Sequence, residues 1–333
     1  MRAIEIRGGF GLENLALVER PDPRPGPGEV LVRLRAASLN YRDLLTAEGK
    51  YNPKQPLPLI PCSDGAGEVV ETGDGVTRVR TGDRVCTLFA QRWISGRPTR
   101  ERLRSTLGGP LDGTLAELAV FDQESVVLAP PHLTDEEAAT LPCAAVTAWS
   151  ALEGMTAGDT VLVQGTGGVS LFALQLAKLL GARIIATSSS DDKLERVRGL
   201  GADELINYKE IAEWGRKAKE LTGGVGVDNV VEVGGAGTLQ QSLQAVRFGG
   251  AISLIGNLAG TKAEILLTQI FMQQVRVNGI LVGHREGFEA MNRAIALHGL
   301  RPVIDRVFPL EDARAAFERM KAGGHFGKIC VRI

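Results

Sequence analysis

A glycine-rich turn between an apolar run and a helical segment constrains this chain of 333 residues more than any other feature. The run from Val161 to Val163 predicts a buried strand, and Gly165-Thr166-Gly167-Gly168-Val169 predicts a tight turn that opens a helix. Such a turn lets the backbone approach a pyrophosphate, and the free N–H groups of the helix start bind it. Ser170 stands where the strict pattern has a third glycine, so a turn without a ligand stays an alternative. A second predicted strand, ending about 20 residues further on, favours nucleotide binding.

Strands and helices alternate around this turn. Short apolar runs at 160–163, 183–187, 204–207, 227–233 and 251–255 are separated by helical segments, which predicts a doubly wound parallel sheet in an α/β protein. Earlier residues instead show short strands and turns, typical of an irregular antiparallel sheet, and the last 40 residues return to this pattern. We therefore expect two domains, formed by residues 1–125 with 294–333 and by residues 126–293, with a cofactor between them at the carboxyl ends of the parallel strands.

The end of the second predicted strand indicates which dinucleotide binds. NAD sites place a carboxylate there for the ribose hydroxyls, whereas Thr187-Ser188-Ser189-Ser190 has none. Serine hydroxyls can donate to a 2′-phosphate, Lys193 adds a positive charge, and Tyr208 adds a phenol. Ser190 also fits a helix N-cap, with Lys193 as an ordinary solvated helix residue, and the two interpretations are compatible. The sequence therefore favours NADP(H).

Charge and cysteine content exclude several classes of protein. The 38 basic and 39 acidic residues leave no field of one sign for nucleic acid or an anionic membrane. No apolar run approaches the ~20 residues that span a bilayer, and the charged start is not a signal peptide, so we expect a cytoplasmic protein. The cysteines are scattered without a C-x-x-C pair, which argues against a disulfide scaffold or a thiolate zinc site.

Several motifs resemble those of the medium-chain dehydrogenase/reductase superfamily across essentially the whole chain. They are Asn40-Tyr41-Arg42-Asp43, Pro61-Cys62-Ser63-Asp64-Gly65-Ala66-Gly67-Glu68-Val69, Gly82-Asp83-Arg84-Val85, Leu141-Pro142-Cys143-Ala144-Ala145, the Gly165 turn and Gly327-Lys328. The resemblance implies a Rossmann domain beside a β-rich, GroES-like catalytic domain, and a homodimer formed through the Rossmann domains. It also implies cofactor contacts from Gly256, Asn257 and Lys328. The chain is similar to the zinc-free quinone-oxidoreductase-like and alcohol-dehydrogenase-like members.

Departures from the zinc-containing members predict that no zinc is bound. Asn40 and Ser63 stand where those members have a cysteine and a histidine ligand, and only Cys143 matches the third ligand. The positions of the proton relay fall on Arg42 and Leu45. Catalytic zinc needs three protein ligands, so one match is insufficient. A site formed by Cys62, Asp64 and Cys143 is an alternative, disfavoured because adjacent strand residues face opposite ways.

Without a metal, the chemistry that remains is hydride transfer from NADPH to an activated carbonyl, such as a quinone or an enone. Candidate catalytic residues are Asn40, Tyr51 and Arg42; candidate substrate contacts are Tyr41, Cys143 and Trp93. Trp93 lies on a polar excursion at residues 92–110, and we expect it to cover the pocket as a lid. Asn40 could also be a turn amide and Tyr51 simple packing. A metal-dependent alcohol dehydrogenase and a non-catalytic NADPH-binding protein are the alternative functions.

Overall fold

The computed structural model describes all 333 residues, and the chain divides into two compact units. The first unit is Met1–Val146 with Gly283–Ile333, and the second is Thr147–Val282. In chain order the strands are β1 Arg2–Ile6, β2 Leu15–Glu19, β3 Glu29–Ser38, β4 Asp64–Thr72, β5 Arg84–Thr87, β6 Leu118–Asp122, β7 Val126–Leu128, β8 Thr160–Gln164, β9 Arg183–Ser188, β10 Glu204–Asn207, β11 Val227–Glu232, β12 Val246–Leu254, β13 Arg276–Gly279, β14 Ile304–Pro309 and β15 Lys328–Arg332. The helices are α1 Tyr41–Ala47, α2 Arg100–Leu103, α3 Asp135–Ala139, α4 Val146–Ala151, α5 Gly168–Leu179, α6 Asp191–Gly199, α7 Trp214–Leu221, α8 Leu239–Ala245, α9 Thr268–Phe271, α10 Arg285–His298 and α11 Ala313–Ala322.

The second unit contains a six-stranded sheet in the order β10-β9-β8-β11-β12-β13, and every neighbouring pair is parallel. Its central strands are apolar on both faces because helices cover both faces of a parallel sheet. Leu162, Ile185, Val230 and Ile252 are buried in one continuous core that also includes Trp214. The predicted doubly wound sheet is confirmed.

The first unit is built on a seven-stranded sheet in the order β14-β15-β3-β4-β5-β7, with β6 also pairing with β3. Only β14 and β15 are parallel to each other. The long pairing of β3 with β4 shifts register twice, and such bulges bend a sheet. A core of Leu39, Ile60, Leu115 and Phe317 lies under helix α11. This is the irregular, largely antiparallel architecture that the sequence predicts.

The borders of the two units differ from the expected borders at residues 125/126 and 293/294. Strand β7 pairs with β5, and Arg332 donates to the Glu136 carboxylate, so the chain up to Val146 stays with the first unit. Helix α10 also belongs there, because the Asn292 amide donates to the Leu128 carbonyl. None of the helices combines the length and the apolar character that a bilayer crossing requires.

Candidate functional site

The glycine turn between β8 and α5 has the geometry that phosphate binding requires. Gly165 adopts a φ of +71°, in the left-handed region that favours glycine, and its N–H donates to the Thr187 carbonyl at 2.8 Å. A Cβ atom at Gly165 or Gly167 would have no neighbour within 4 Å, so the space beside the turn is open. Ser170 replaces the third glycine of the pattern, and its hydroxyl donates to the Gln164 carbonyl at 2.6 Å. The serine therefore fastens the helix start to the strand end.

The end of β9 lies beside this turn, since β8 and β9 are paired up to Gln164 and Thr187. The hydroxyls of Ser188 and Ser189 make no hydrogen bond within the protein. Tyr208 follows β10, and its N–H donates to the Ser188 carbonyl at 3.0 Å. Ser190 is the N-cap of α6, so the capping interpretation holds, with Lys193 in the first turn of that helix. The predicted 2′-phosphate residues are thus neighbours along one sheet edge.

A buried carboxylate organises the loop after β11, at the same edge of the sheet. Glu232 is fully buried, and its Oε1 accepts from the N–H groups of Gly234 and Gly235 at 2.8 and 2.9 Å, and from Thr238 at 2.5 Å. Its Oε2 accepts from Gln164 at 2.7 Å and from the Ser242 hydroxyl. Glu232 therefore joins the end of β8 to the loop after β11.

The predicted cofactor contacts Gly256 and Asn257 lie against this loop. Gly256 follows β12, and a Cβ at this position would approach the Val233 carbonyl oxygen to 2.5 Å. A Cβ at Gly235 would similarly approach the Cα of Asn257 to 2.8 Å. Only glycine permits such close packing of two loops. The carboxyl ends of β8, β9, β10 and β12 therefore hold all predicted cofactor residues except Lys328.

Lys328 lies in the first unit, inside a buried polar network. Its ammonium donates to the Leu39 carbonyl and to Asn40 Oδ1, both at 2.6 Å, and only 4% of the residue is exposed. Asn40 Nδ2 donates to the Ser63 hydroxyl at 3.3 Å, and that hydroxyl donates to Asp64 Oδ1 at 2.7 Å. These partners hold the ammonium inside the protein, whereas the sequence places Lys328 among the cofactor contacts.

Asp64 is the carboxylate of this network. Its Oδ2 accepts from the Cys143 backbone N–H at 3.1 Å and lies 3.9 Å from the Lys328 ammonium. Burial raises the pKa of Asp64 to about 6, although the charge of Lys328 acts in the opposite direction. Burial also raises the pKa of the Cys143 thiol, and the negative charge of Asp64 adds to the effect. The thiol is therefore the stable form of Cys143.

The same network tests whether catalytic zinc fits. Of the family ligand positions, Asn40 already binds a cation through its oxygen, the Lys328 ammonium at 2.6 Å. Ser63 is engaged with Asp64, and no group of three histidine, cysteine or acidic residues is arranged to hold a metal. Cys62 has a φ of +77° and points its sulfur at the Ser38 carbonyl, 3.2 Å away. The residues present do not fit a catalytic zinc ion.

Arg42 and Tyr51, two of the candidate catalytic residues, lie together. The Arg42 guanidinium donates to the carbonyls of Leu107 and Gly109 at 2.7 and 2.9 Å, and its carbon lies 4.9 Å from the centre of the Tyr51 ring. Tyr51 is 48% exposed, so its hydroxyl can reach a ligand. Arg42 fixes the chain at 107–109 and supports the Tyr51 ring. Its guanidinium therefore positions other groups and is less suited to binding a substrate by its charge.

The candidate substrate contacts differ in exposure. Tyr41 is 45% exposed at the start of α1, directly after Asn40. Cys143 is half-buried, with its backbone bound to Asp64. Trp93 is buried; its indole donates to the Gly96 carbonyl at 2.8 Å and its ring meets the ring of His284 edge-on. Trp93 therefore anchors the excursion, and the structure gives it the environment of a core residue and not that of a mobile lid.

Sequence reasoning missed two features of these sites. Glu232 is a carboxylate that follows the apolar pair Val230-Val231 at the end of β11 and stands two residues before Gly234-Gly235, and this contrast was a usable signal. The pairing of Lys328 with Asn40 joins residues 288 positions apart, and no local pattern indicates it.

Comparisons with known proteins follow the division of the chain. Residues 26–131 match the alcohol dehydrogenase GroES-like domain, and residues 168–297 match the family described as zinc-binding dehydrogenase. A zinc-type alcohol dehydrogenase-like protein of Schizosaccharomyces pombe is 44% identical over 316 residues, covering 92% of this chain and 91% of the relative. An acryloyl-coenzyme A reductase of Metallosphaera sedula is 30% identical over 341 residues, covering 99% of both proteins.

Solved structures show the same similarity. An NAD-dependent alcohol dehydrogenase has a TM-score of 0.92 and 35% identity, with complete coverage of both chains. The 2-octenoyl-CoA carboxylase reductase CinF, solved in complex with NADP and 2-octenoyl-CoA, has a TM-score of 0.88 and 28% identity, covering 99% of this chain and 87% of the other. The similar proteins thus include alcohol dehydrogenases and reductases of unsaturated thioesters.

Proposed function

This chain belongs to the medium-chain dehydrogenase/reductase superfamily, and the relatives described above are oxidoreductases of the kind that uses a pyridine nucleotide. We propose that it reduces conjugated carbonyl compounds with NADPH and without zinc. The observation that carries this proposal is the Lys328–Asn40 contact of 2.6 Å. It holds an ammonium group against the side chain that stands where zinc-containing members have a zinc ligand. An unactivated alcohol needs a metal or a strong base to lose its proton. A quinone, an enone or an unsaturated thioester needs only donors for the oxygen that gains charge.

NADPH supplies the hydride, and the chain supplies donors for the substrate oxygen. In this proposal the Asn40 amide, whose Nδ2 donates to Ser63 and also interacts with the Asp64 carboxylate, turns one N–H to the substrate oxygen. Lys328 binds the oxygen of the same amide, which polarises it and strengthens Nδ2 as a donor. Tyr51 is an exposed phenol that can donate a hydrogen bond or a proton to the same oxygen. Arg42 holds the Tyr51 ring in place.

The preference for NADPH is supported by the strand end at Ser188. Two serine hydroxyls without protein partners, with the phenol of Tyr208 nearby, can donate to a 2′-phosphate. The nearest carboxylate along the chain, that of Asp191, accepts from the Asn207 amide at 2.8 Å. It is therefore already engaged and is a poor substitute for the ribose-binding acid of an NAD site.

A panel of activated carbonyls tests the function. The full-length protein is mixed with NADPH and, in turn, a quinone, a simple enone and an enoyl thioester. In a separate assay it is mixed with NADP⁺ and a saturated primary alcohol. We expect loss of NADPH absorbance with conjugated substrates and no reaction with the alcohol. Asn40→Ala should lower kcat by about 10²-fold, the typical cost of one oxyanion donor. NADPH binding without turnover of any conjugated carbonyl would favour the non-catalytic alternative.

A further inference from the structure

The excursion of the first unit carries a concentrated positive charge. Residues 92–104 contain five arginines and one acidic residue: Arg92, Arg97, Arg100, Arg102, Arg104 and Glu101. The only ion pair among them is a long contact of 3.9 Å between Arg92 and Glu101. By contrast, Arg20 is paired with Glu5 at 2.5 Å and with Asp112 at 2.7 Å. Uncompensated like charges repel one another, so this arrangement is favoured by a ligand that brings negative charge.

The arginine-rich segment is fixed in place at both ends. At its start, the backbone N–H of Arg285 donates to the Trp93 carbonyl at 3.0 Å. Just beyond its end, Arg42 binds the carbonyls of Leu107 and Gly109. Inside the segment, Arg102 donates to the Arg97 carbonyl at 2.6 Å. A site that is already ordered loses less entropy on binding than a flexible loop would.

Three of these arginines line an open cavity of about 440 Å³, within the range of small-molecule sites. They are Arg92, Arg100 and Arg104, and the remaining lining residues are Glu101, Ser105 and Leu111. Arg100 and Arg104 have no protein partner for their guanidinium groups. The planar guanidinium binds phosphate oxygens in pairs, and Leu111 offers an apolar surface to a ring. The chemistry fits a nucleotide-like group with more than one phosphate.

We propose that this cavity binds the phosphate-bearing end of the substrate, and that among conjugated carbonyl compounds the preferred substrate is a thioester on a nucleotide carrier. The choice of substrate rests on the function proposed above; the anion site rests on the arginines alone. Arg42 connects the two places, because it lies on the helix that follows Asn40 and binds the Gly109 carbonyl, a few residues after the arginine-rich segment.

Binding of adenosine 3′,5′-bisphosphate to the cofactor-saturated protein tests the anion site without activity. The double variant Arg100→Glu with Arg104→Glu is compared with the control Arg80→Glu, at a side chain that is 90% exposed outside the cavity. We expect the double variant to bind the bisphosphate at least tenfold more weakly and the control to match the wild type. Equal affinity in all three proteins, or affinity for the bisphosphate no greater than for sulfate, would overturn the site.

Kinetics with two thioesters test the substrate class. Crotonyl-coenzyme A carries the phosphates, and the crotonyl thioester of N-acetylcysteamine lacks them. The double variant should raise KM about tenfold for the first thioester and leave the second unchanged. Equal KM values for both thioesters in the wild type would contradict the substrate assignment. If no conjugated carbonyl reacts but the bisphosphate binds as expected, the proposed function fails and the anion site stands.

Discussion

The Lys328–Asn40–Ser63–Asp64 network shows how single substitutions change the chemistry of a site. In zinc-containing relatives, the resemblance implies a metal cation held by side chains at positions 40, 63 and 143. Here the positive charge belongs to the chain itself, as a buried ammonium 3.9 Å from the Asp64 carboxylate. Removing one partner of a buried pair leaves an uncompensated charge, so these residues depend on one another.

Asp64 makes the stability of the first unit depend on pH. Because its pKa is raised to about 6, the folded protein binds this proton more tightly than the unfolded chain does. The contribution is complete below about pH 4 and is lost as pH rises through about 6, a change on the order of 3 kcal/mol. Relative to Asp64→Asn, the wild type should therefore become less stable between pH 4 and pH 7 in urea unfolding.

Asp203 is the control for this measurement. Burial acts to raise its pKa, but hydrogen bonds from Lys178 and from the Ile184 N–H lower it overall. Relative to Asp203→Asn, the wild type should gain stability as pH rises from below the ordinary pKa range of aspartate up to that range, and should change little above it. A change of the same sign at both positions would contradict the account of Asp64.

We propose that Ser188 sets the preference for NADPH over NADH. A charge-assisted hydrogen bond contributes roughly 1.5–3 kcal/mol, so losing the 2′-phosphate contact should weaken NADPH binding about 10- to 150-fold. Ser188→Asp should weaken NADPH binding further and strengthen NADH binding, because its carboxylate repels the phosphate and offers NADH a ribose partner. Fluorescence titration of both cofactors measures the effect, with Ser188→Ala as the uncharged control. Equal binding of NADH and NADPH by the wild type would show that the serines only precede a helix cap.

At the scale of elements, the loop after β11 depends on one carboxylate. Glu232→Gln replaces an acceptor of several hydrogen bonds by an amide whose NH₂ faces the N–H groups of Gly234 and Gly235. Unfolding free energy should fall by at least about 2 kcal/mol, and NADPH affinity should fall with it. Thr238→Val removes only one donor, so the decrease in unfolding free energy and in NADPH affinity should be smaller. Calorimetric melting with and without NADPH measures both; an unchanged Glu232→Gln variant would contradict this role.

The sequence predicted elements well wherever local pattern determines them. The apolar runs and the glycine turn correctly indicated the parallel sheet, and β10 begins and ends at the expected residues. Contacts between distant segments were not predictable in this way. Trp93 was expected to cover a pocket, but its burial depends on His284, almost 200 residues away. Lys328 likewise depends on partners in a different part of the chain.

At the scale of the whole molecule, we propose that two copies associate through the second unit. Strand β13 ends its sheet, and all four of its residues are exposed. Large apolar side chains near it are also exposed: Leu266, Leu267, Phe271, Met272, Val277 and Leu281. An edge strand with an apolar surround is a favourable pairing site, and a two-fold axis would join two such edges.

Substitution at the edge strand tests this association. Phe271→Glu with Val277→Lys should convert the dimer into a monomer, because charges would replace apolar contacts at the centre of the interface. Leu297→Lys, at an 80% exposed position in the first unit, is the control and should stay dimeric. Light scattering at micromolar concentration measures the mass. A monomeric wild type would contradict the proposal.

We propose that the ammonium of Lys328 makes zinc unnecessary for the reaction. The direct measurement is the rate of NADPH oxidation with a conjugated carbonyl before and after dialysis against a strong chelator, with the zinc content determined on the same samples. We predict an unchanged rate at well under one zinc per chain. A rate that is lost with the metal and restored by stoichiometric zinc would contradict the account.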